Sequence, residues 1–101
     1  MTGDKDLIAR CRQLGVQARE AGECAVGCVI AREGSIVAEA CEQVESARDI
    51  AGHAEIIAVR RACQVLRVMD LSGCTLYTNV EPCWMCSYAI RETGEIGRAH
   101  V

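Results

Sequence analysis

The 101-residue chain is predicted to fold as an α/β domain, a β-sheet covered by helices, on three observations. Hydrophobic periodicity sets its elements in the order α-β-β-α-β-α. Its length suits one domain, and with 50% hydrophobic residues a single core is feasible. Two compact apolar runs, CAVGCVIA and SIVAEAC, flank an Arg-Glu-Gly turn signal and read as a hairpin.

The first helix follows from Leu7, Cys11, Leu14, Ala18 and Ala21, which alternate in steps of four and three and mark one apolar stripe, with Gly22 as its stop. The hairpin strands cover Cys24 to Ala31 and Ser35 to Cys41. Glu42 to Gly52 is polar and aperiodic, and is expected to be a loop. From about His53 a second helix places Ile56, Val59, Cys63 and Leu66 on one face, with Arg60, Arg61, Gln64 and Arg67 off it. Ser72-Gly73 breaks the chain, CTLYTNV (Cys74 to Val80) is a third strand, and a third helix runs from Cys83 to about Thr93, closed by Gly94. There is no internal repeat and no low-complexity tract.

Net charge is -3 with a pI near 5.3, which offers no general attraction for nucleic acid. Arg60, Arg61 and Arg67 fit a solvated helix face. Eight cysteines in so short a chain would suit a secreted disulfide scaffold. However, MTGDKDLIARCRQ is charged and shows no signal peptide, and no window approaches the ~20 apolar residues of a membrane span. The expected setting is the reducing cytoplasm, with no membrane partner. Cys11, Cys24, Cys28, Cys41, Cys63 and Cys74 are then read as small core residues, and Trp84 and Met85 as packing or pocket wall.

Four residues stand apart. His53 and Glu55, in GHAE, open the second helix directly after a loop; Cys83 and Cys86, in PCWMC, open the third directly after a strand. In mid-helix, side chains at i and i+2 diverge by about 200° and share no target. At the first turn they can share one lying over the open helix end. Helix N-termini carry partial positive charge, which favours thiolates there. Two thiolates and an imidazole are three ligands of a tetrahedral zinc site whose fourth position stays open, the catalytic rather than the structural pattern. Zinc lowers the pKa of the water in that position toward about 7. Glu55, two residues from a ligand, would stand beside that water as a proton carrier. Taken singly, His53 also reads as a capping histidine and Glu55 as an acid complementing the helix dipole.

His53-Ala54-Glu55 followed by Pro82-Cys83-Trp84-Met85-Cys86 resembles the zinc signature of the cytidine/deoxycytidylate deaminase superfamily. VGCVIAREGSIVAEA, GHAEIIAVRRAC and DLSGCTLYTNVEPCWMCSYAIRE look most like the branch of tRNA adenosine deaminases and guanine deaminases. The resemblance implies a three-layer αβα fold with a central mixed sheet. It also implies Zn2+ on His53, Cys83 and Cys86, Glu55 as the catalytic proton shuttle, and release of ammonia from a nucleobase or nucleoside. It implies base contacts at Glu42, Ala54 and Val80. At the Glu42 position the branch commonly has asparagine, and a carboxylate accepts from ring N–H or amino groups instead. A purine-type or related small heterocycle is expected; tRNA fits the acidic charge balance less well. A homodimer is expected from the same resemblance.

Two other readings are open from the residues alone. A strand leading into Cys83-x-x-Cys86 on a helix also suits a thiol–disulfide oxidoreductase, although Pro82 stands where that family usually has Trp and His53-x-Glu55 would go unexplained. A zinc-stabilised binding module without catalysis would use the same ligands. Residues 1–94 are expected to form an incomplete deaminase-like domain lacking its C-terminal strands and helices, with residues 95–101 the start of a fourth strand or an artefactual tail. Arg98, Ala99 and His100 are poor material for a buried parallel strand. Glu-Ile-Gly-Arg-Ala-His-Val is also the translation of gagatcggaagagcacacgtc, which looks like a common sequencing adapter.

Overall fold

The computed structural model describes residues 3–94 and 97–100. Helix α1 (Asp4–Glu20) carries Asp4 and Asp6 in its first turn and Arg19 in its last, complementing the helix dipole. Its inward stripe is Leu7, Cys11, Leu14, Gly15 and Ala18; Ala21, expected on that stripe, is the exposed C-cap. Strands β1 (Gly27–Arg32) and β2 (Ser35–Cys41) form the expected hairpin. Its two-residue turn holds Glu33 (φ 53°) and Gly34 (φ 79°), both left-handed, the geometry that matches hairpin twist.

Strand β3 (Thr75–Thr78) pairs antiparallel with β1 on the edge away from β2, so β1 is central. That explains why Gly27 to Ala31 are buried without alternation: both faces of β1 are covered. Strand β4 (Gly97–His100) runs parallel to β3 in the register Thr75↔Gly97, giving a mixed sheet of order β2-β1-β3-β4. Strand β3 is shorter than its apolar run, because Asn79 and Val80 already leave the sheet.

Helix α1 covers one face through a cluster of Leu7, Cys11, Leu14, Val29, Ala31 and Tyr77. The other face, with Cys28, Ile30 and Leu76, is covered by α3 (Ala54–Leu66) and by Ile90 of α4 (Trp84–Arg91). The three-layer αβα arrangement expected from the sequence is therefore present. Of the residues expected inward on α3, Val59 is buried, and the rest of the seam differs. Ala54, Ala58 and Ala62 are fully buried, while Ile56, Cys63 and Leu66 are only half-buried. Small side chains let this helix lie close on the sheet, while Ile56, Val59 and Cys63 line a cavity shared with Tyr88 and Ala89 of α4.

The segment expected to be a loop contains a short helix, α2 (Val44–Ala47). Its first amides, Glu45 N–H and Ser46 N–H, donate to the two oxygens of Glu23 at 2.9 and 2.6 Å. Of the cysteines read as core, Cys11, Cys28 and Cys74 are buried, Cys41 and Cys63 half-buried and Cys24 exposed. Cys24 lies before β1 begins, outside both apolar faces.

Candidate metal centre

Two helix starts meet at one point. His53 is the N-cap of α3, with extended backbone at φ -69° and ψ 144°; Cys83 is the N-cap of α4 at φ -72° and ψ 176°. Cys86 follows within the first turn of α4. The connection that delivers Cys83 is anchored by Asn79. Its Oδ1 accepts from Gly27 N–H at 3.0 Å, and its Nδ2 donates to the Ala25 carbonyl at 2.8 Å. Asn79 thus ties the end of β3 to the start of β1, four residues before Cys83. Sequence reasoning placed Asn79 inside the strand; its only signal was a polar residue next to the end of the run.

His53 Nδ1 stands 3.6 Å from Cys83 Sγ and 3.5 Å from Cys86 Sγ, and the three donor atoms lie within 4.8 Å of one another. The donor set fits zinc quantitatively. Bonds of about 2.3 Å to sulfur and about 2.05 Å to nitrogen at a tetrahedral angle put N and S about 3.6 Å apart. Among the described residues this is the one group of three or more His, Cys, Asp or Glu side chains poised for a metal. Cys86 is buried, His53 half-buried and Cys83 exposed, so the centre opens to solvent on one side.

A helix end alone does not lower the Cys86 thiol. Burial pushes its thiol well above the ordinary range, and the neighbouring Glu55 carboxylate adds to this. Desolvation and nearby negative charge outweigh one short helix end. A cation held here would reverse that balance.

Glu55 is 3% exposed. Burial raises its pKa, and the Glu42 charge raises it further; its own backbone N–H, His53 and a hydrogen bond with Cys86 oppose this. A carboxyl with raised proton affinity, in contact with a ligand and outside the donor triangle, is suited to carrying a proton.

Glu42, just past β2, is 7% exposed, and its Oε1 accepts from Ala54 N–H at 2.9 Å. Ala54 is therefore held through its backbone at the first residue of α3. Glu42 and His53 both line an open cavity of about 490 Å³, with Cys24, Val44 and Glu45 on its rim. Val80 is half-buried in the β3–α4 connection, its N–H directed to Thr78 Oγ1 at 3.4 Å; it does not line that cavity. Trp84, expected to pack, is 94% exposed, because the first turn of α4 points it away from the sheet.

The whole chain, residues 1–101, matches the family model described as the cytidine and deoxycytidylate deaminase zinc-binding region. It is 46% identical over 74 residues to a tRNA-specific adenosine deaminase of Aquifex aeolicus, covering 73% of this chain and 49% of that protein. It is 47% identical over 64 residues to a guanine deaminase of Bacillus subtilis, covering 63% of this chain and 41% of that protein. The solved structure of guanine deaminase from Bacillus subtilis superposes with a TM-score of 0.94 at 34% identity, over 99% of this chain and 64% of that one. The chain thus spans about half the length of these curated relatives.

Proposed function

The chain belongs to the cytidine and deoxycytidylate deaminase family, and from that premise we propose that it is the catalytic part of a zinc-dependent hydrolytic deaminase of a nucleobase or nucleoside. The observation that carries this reading is the convergence of His53 Nδ1 on both cysteine sulfurs at 3.5 and 3.6 Å, with the buried Glu55 carboxyl against Cys86. In this reading His53, Cys83 and Cys86 would hold zinc, which would supply the Lewis acidity that makes water a nucleophile near neutral pH. Glu55 would take one proton from the attacking water and pass it to the ring nitrogen adjoining the amino-bearing carbon, as the water oxygen bonds to that carbon and the ring C=N bond becomes single. It would then carry the remaining hydroxyl proton to the amino nitrogen, so that the C–N bond breaks, ammonia leaves and a carbonyl takes its place. Ala54 N–H, fixed by Glu42, keeps the first turn of α3 in the conformation that aims His53 and Glu55 together.

A thiol–disulfide role for Cys83 and Cys86 leaves His53 and Glu55 without a task. A purine-type or related small heterocycle is favoured as substrate, and tRNA is disfavoured by the net charge of -3. The reading includes a homodimer, supported by apolar side chains left open on α4, Trp84 at 94% and Tyr88 at 65% exposed. It also places the protein in the cytoplasm, consistent with eight unpaired cysteines. No helix among the described residues is long and apolar enough to cross a membrane.

The test is ammonia release from bases, nucleosides and tRNA by the full-length protein, with zinc content measured in parallel. About one zinc per chain is expected, and Glu55→Gln should retain zinc while losing about 100- to 10,000-fold in turnover. Purified protein without zinc but with a titratable dithiol contradicts the reading.

A further inference from the structure

We propose that a second site, between α3 and the connection that leads into it, binds a dianionic phosphate group, free or as the phosphate end of a nucleotide. It stands apart from the metal centre, since neither the three donor residues nor Glu55 lines it. It goes beyond the deaminase reading and does not depend on it.

The arginines expected on a solvated face of α3 do not all stand in open water. Arg60 and Arg61 line a cavity of about 240 Å³, walled on its other side by Gln43, Asp49 and Gly52 of the β2–α3 connection. Arg61 Nη1 donates to the Glu39 carbonyl at 2.8 Å, which fixes that guanidinium by one of its donors. Arg60 has no acceptor among the described residues. The single carboxylate on the wall, Asp49, is turned to its own loop. It accepts Ala51 N–H at 2.9 Å and pairs with neither arginine. Gln43 and Gln64 add side-chain amides, whose N–H groups are further donors. The wall is preformed: Gln43 N–H donates to the Gly52 carbonyl at 2.8 Å, and Gly52 N–H to the Asp49 carbonyl at 2.9 Å. A Cβ on Gly52 would stand 3.0 Å from both the Asp49 and Gln43 backbone oxygens, so the loop is already tightly closed.

Two guanidinium groups against one carboxylate leave this cavity positive on a chain whose net charge is -3. Guanidinium forks match phosphate oxygens, and a charge-assisted N–H···O bond is about twice as strong as a neutral one. A dianionic phosphate end offers three terminal oxygens to the arginines and an amide, whereas a phosphodiester offers two. With no general attraction for nucleic acid, the phosphate end is favoured over an RNA strand. The cavity is smaller than the ~300–1,000 Å³ of drug-sized ligand sites, which suits a phosphate group with any sugar and base outside it.

The test is equilibrium dialysis of radiolabelled inorganic phosphate against the zinc-loaded full-length protein at about pH 8, where the phosphate is dianionic. Saturable binding in the millimolar range or below is expected. Arg60→Gln removes an exposed charge without a protein partner and should weaken binding about 10- to 100-fold, with zinc content and melting temperature unchanged. Arg12→Gln is the control: it loses the same charge from an exposed position on α1, across the sheet, and should change affinity less than about twofold. Arg61→Lys keeps the charge but gives up the planar fork, and should weaken binding about tenfold; it decides the matter should Arg60→Gln disturb the fold. Competition identifies the source. Displacement of the label by a nucleoside 5′-monophosphate but not by the bare nucleoside assigns a nucleotide, and displacement by unlabelled phosphate alone assigns the free anion; either supports the site. Three results overturn it: no saturable binding, a loss with Arg12→Gln equal to that with Arg60→Gln, or displacement by the bare nucleoside, which would put the label at the deaminase site.

Discussion

Replacing Gly27 by alanine should damage the fold and the metal centre together. Gly27 opens the central strand beneath α1, where an added Cβ would stand 2.2 Å from the Cys11 carbonyl oxygen, 2.6 Å from Leu14 Cβ and 2.9 Å from Gly15 N. Ordinary contact begins at 3.4 Å, so α1 must retreat by about 3.4 − 2.2 = 1.2 Å. Two of the three opposing atoms are backbone, and no rotamer change relieves them. The retreat opens a gap through the Leu7, Cys11, Leu14, Val29, Ala31 and Tyr77 cluster. A gap of about 0.5–1 Å already forfeits a quarter to a half of each dispersion contact. Overpacked cores typically lose about 1–3 kcal/mol, and a clash against backbone belongs at the upper end. At roughly 4–8 °C per kcal/mol for a domain near this size, Tm should fall by about 12–24 °C. Gly27 N–H also holds Asn79 Oδ1, so zinc affinity should fall with stability. Gly73→Ala is the control, since a Cβ there meets nothing within 4 Å. Thermal melts followed by circular dichroism measure both variants. A Gly27→Ala protein within about 0.5 kcal/mol of its parent would refute the packing argument.

Alkaline pH should weaken the fold through two buried groups. Burial holds the Cys11 thiol up at about 11 against an ordinary 9.0, and the Tyr77 hydroxyl, which donates to Asp4 Oδ1 at 2.7 Å, is held up at about 12 against 10.0. Both shifts are upward, so their stabilisation is complete below the ordinary values. Above those values the unfolded chain releases its protons first, and stability falls from about pH 9 to about pH 12 by up to ~1.4 kcal/mol per pH unit and group. Urea midpoints across this range should drop, with Tyr77→Phe flattening the upper part; midpoints that stay level contradict the assignment.

The fold was readable where side-chain size alternates with the backbone period. Leu7, Cys11, Leu14 and Ala18 announce α1, and the flanked Glu33-Gly34 turn announces the hairpin. It was misread where the inward side chain is alanine. Ala54, Ala58 and Ala62 form the true seam of α3, yet alanine gives almost no hydrophobic contrast, so Ile56, Cys63 and Leu66 attracted the assignment. Helix α2 escaped because a long-range carboxylate, Glu23, holds its first amides, and no local pattern encodes a partner more than 20 residues away. At the site the spacing of His53, Glu55, Cys83 and Cys86 was legible because each pair lies on one helix start. The anchoring of those starts by Glu42 and Asn79 was not, since both bonds close only in the folded chain.

That anchoring explains how two N-caps, ordinarily the least restrained residues of a helix, hold three donor atoms within 4.8 Å. Ala54 N–H is one of the amides a helix start leaves without an intrahelical partner, and Glu42 supplies that partner from the end of β2. Cys83 follows four residues after Asn79, whose side chain is fixed to the first residues of β1. Both helix starts are thereby referred to the same hairpin, one to its exit and one to its entry. The donor triangle then inherits the rigidity of the β1–β2 pair rather than that of either connection.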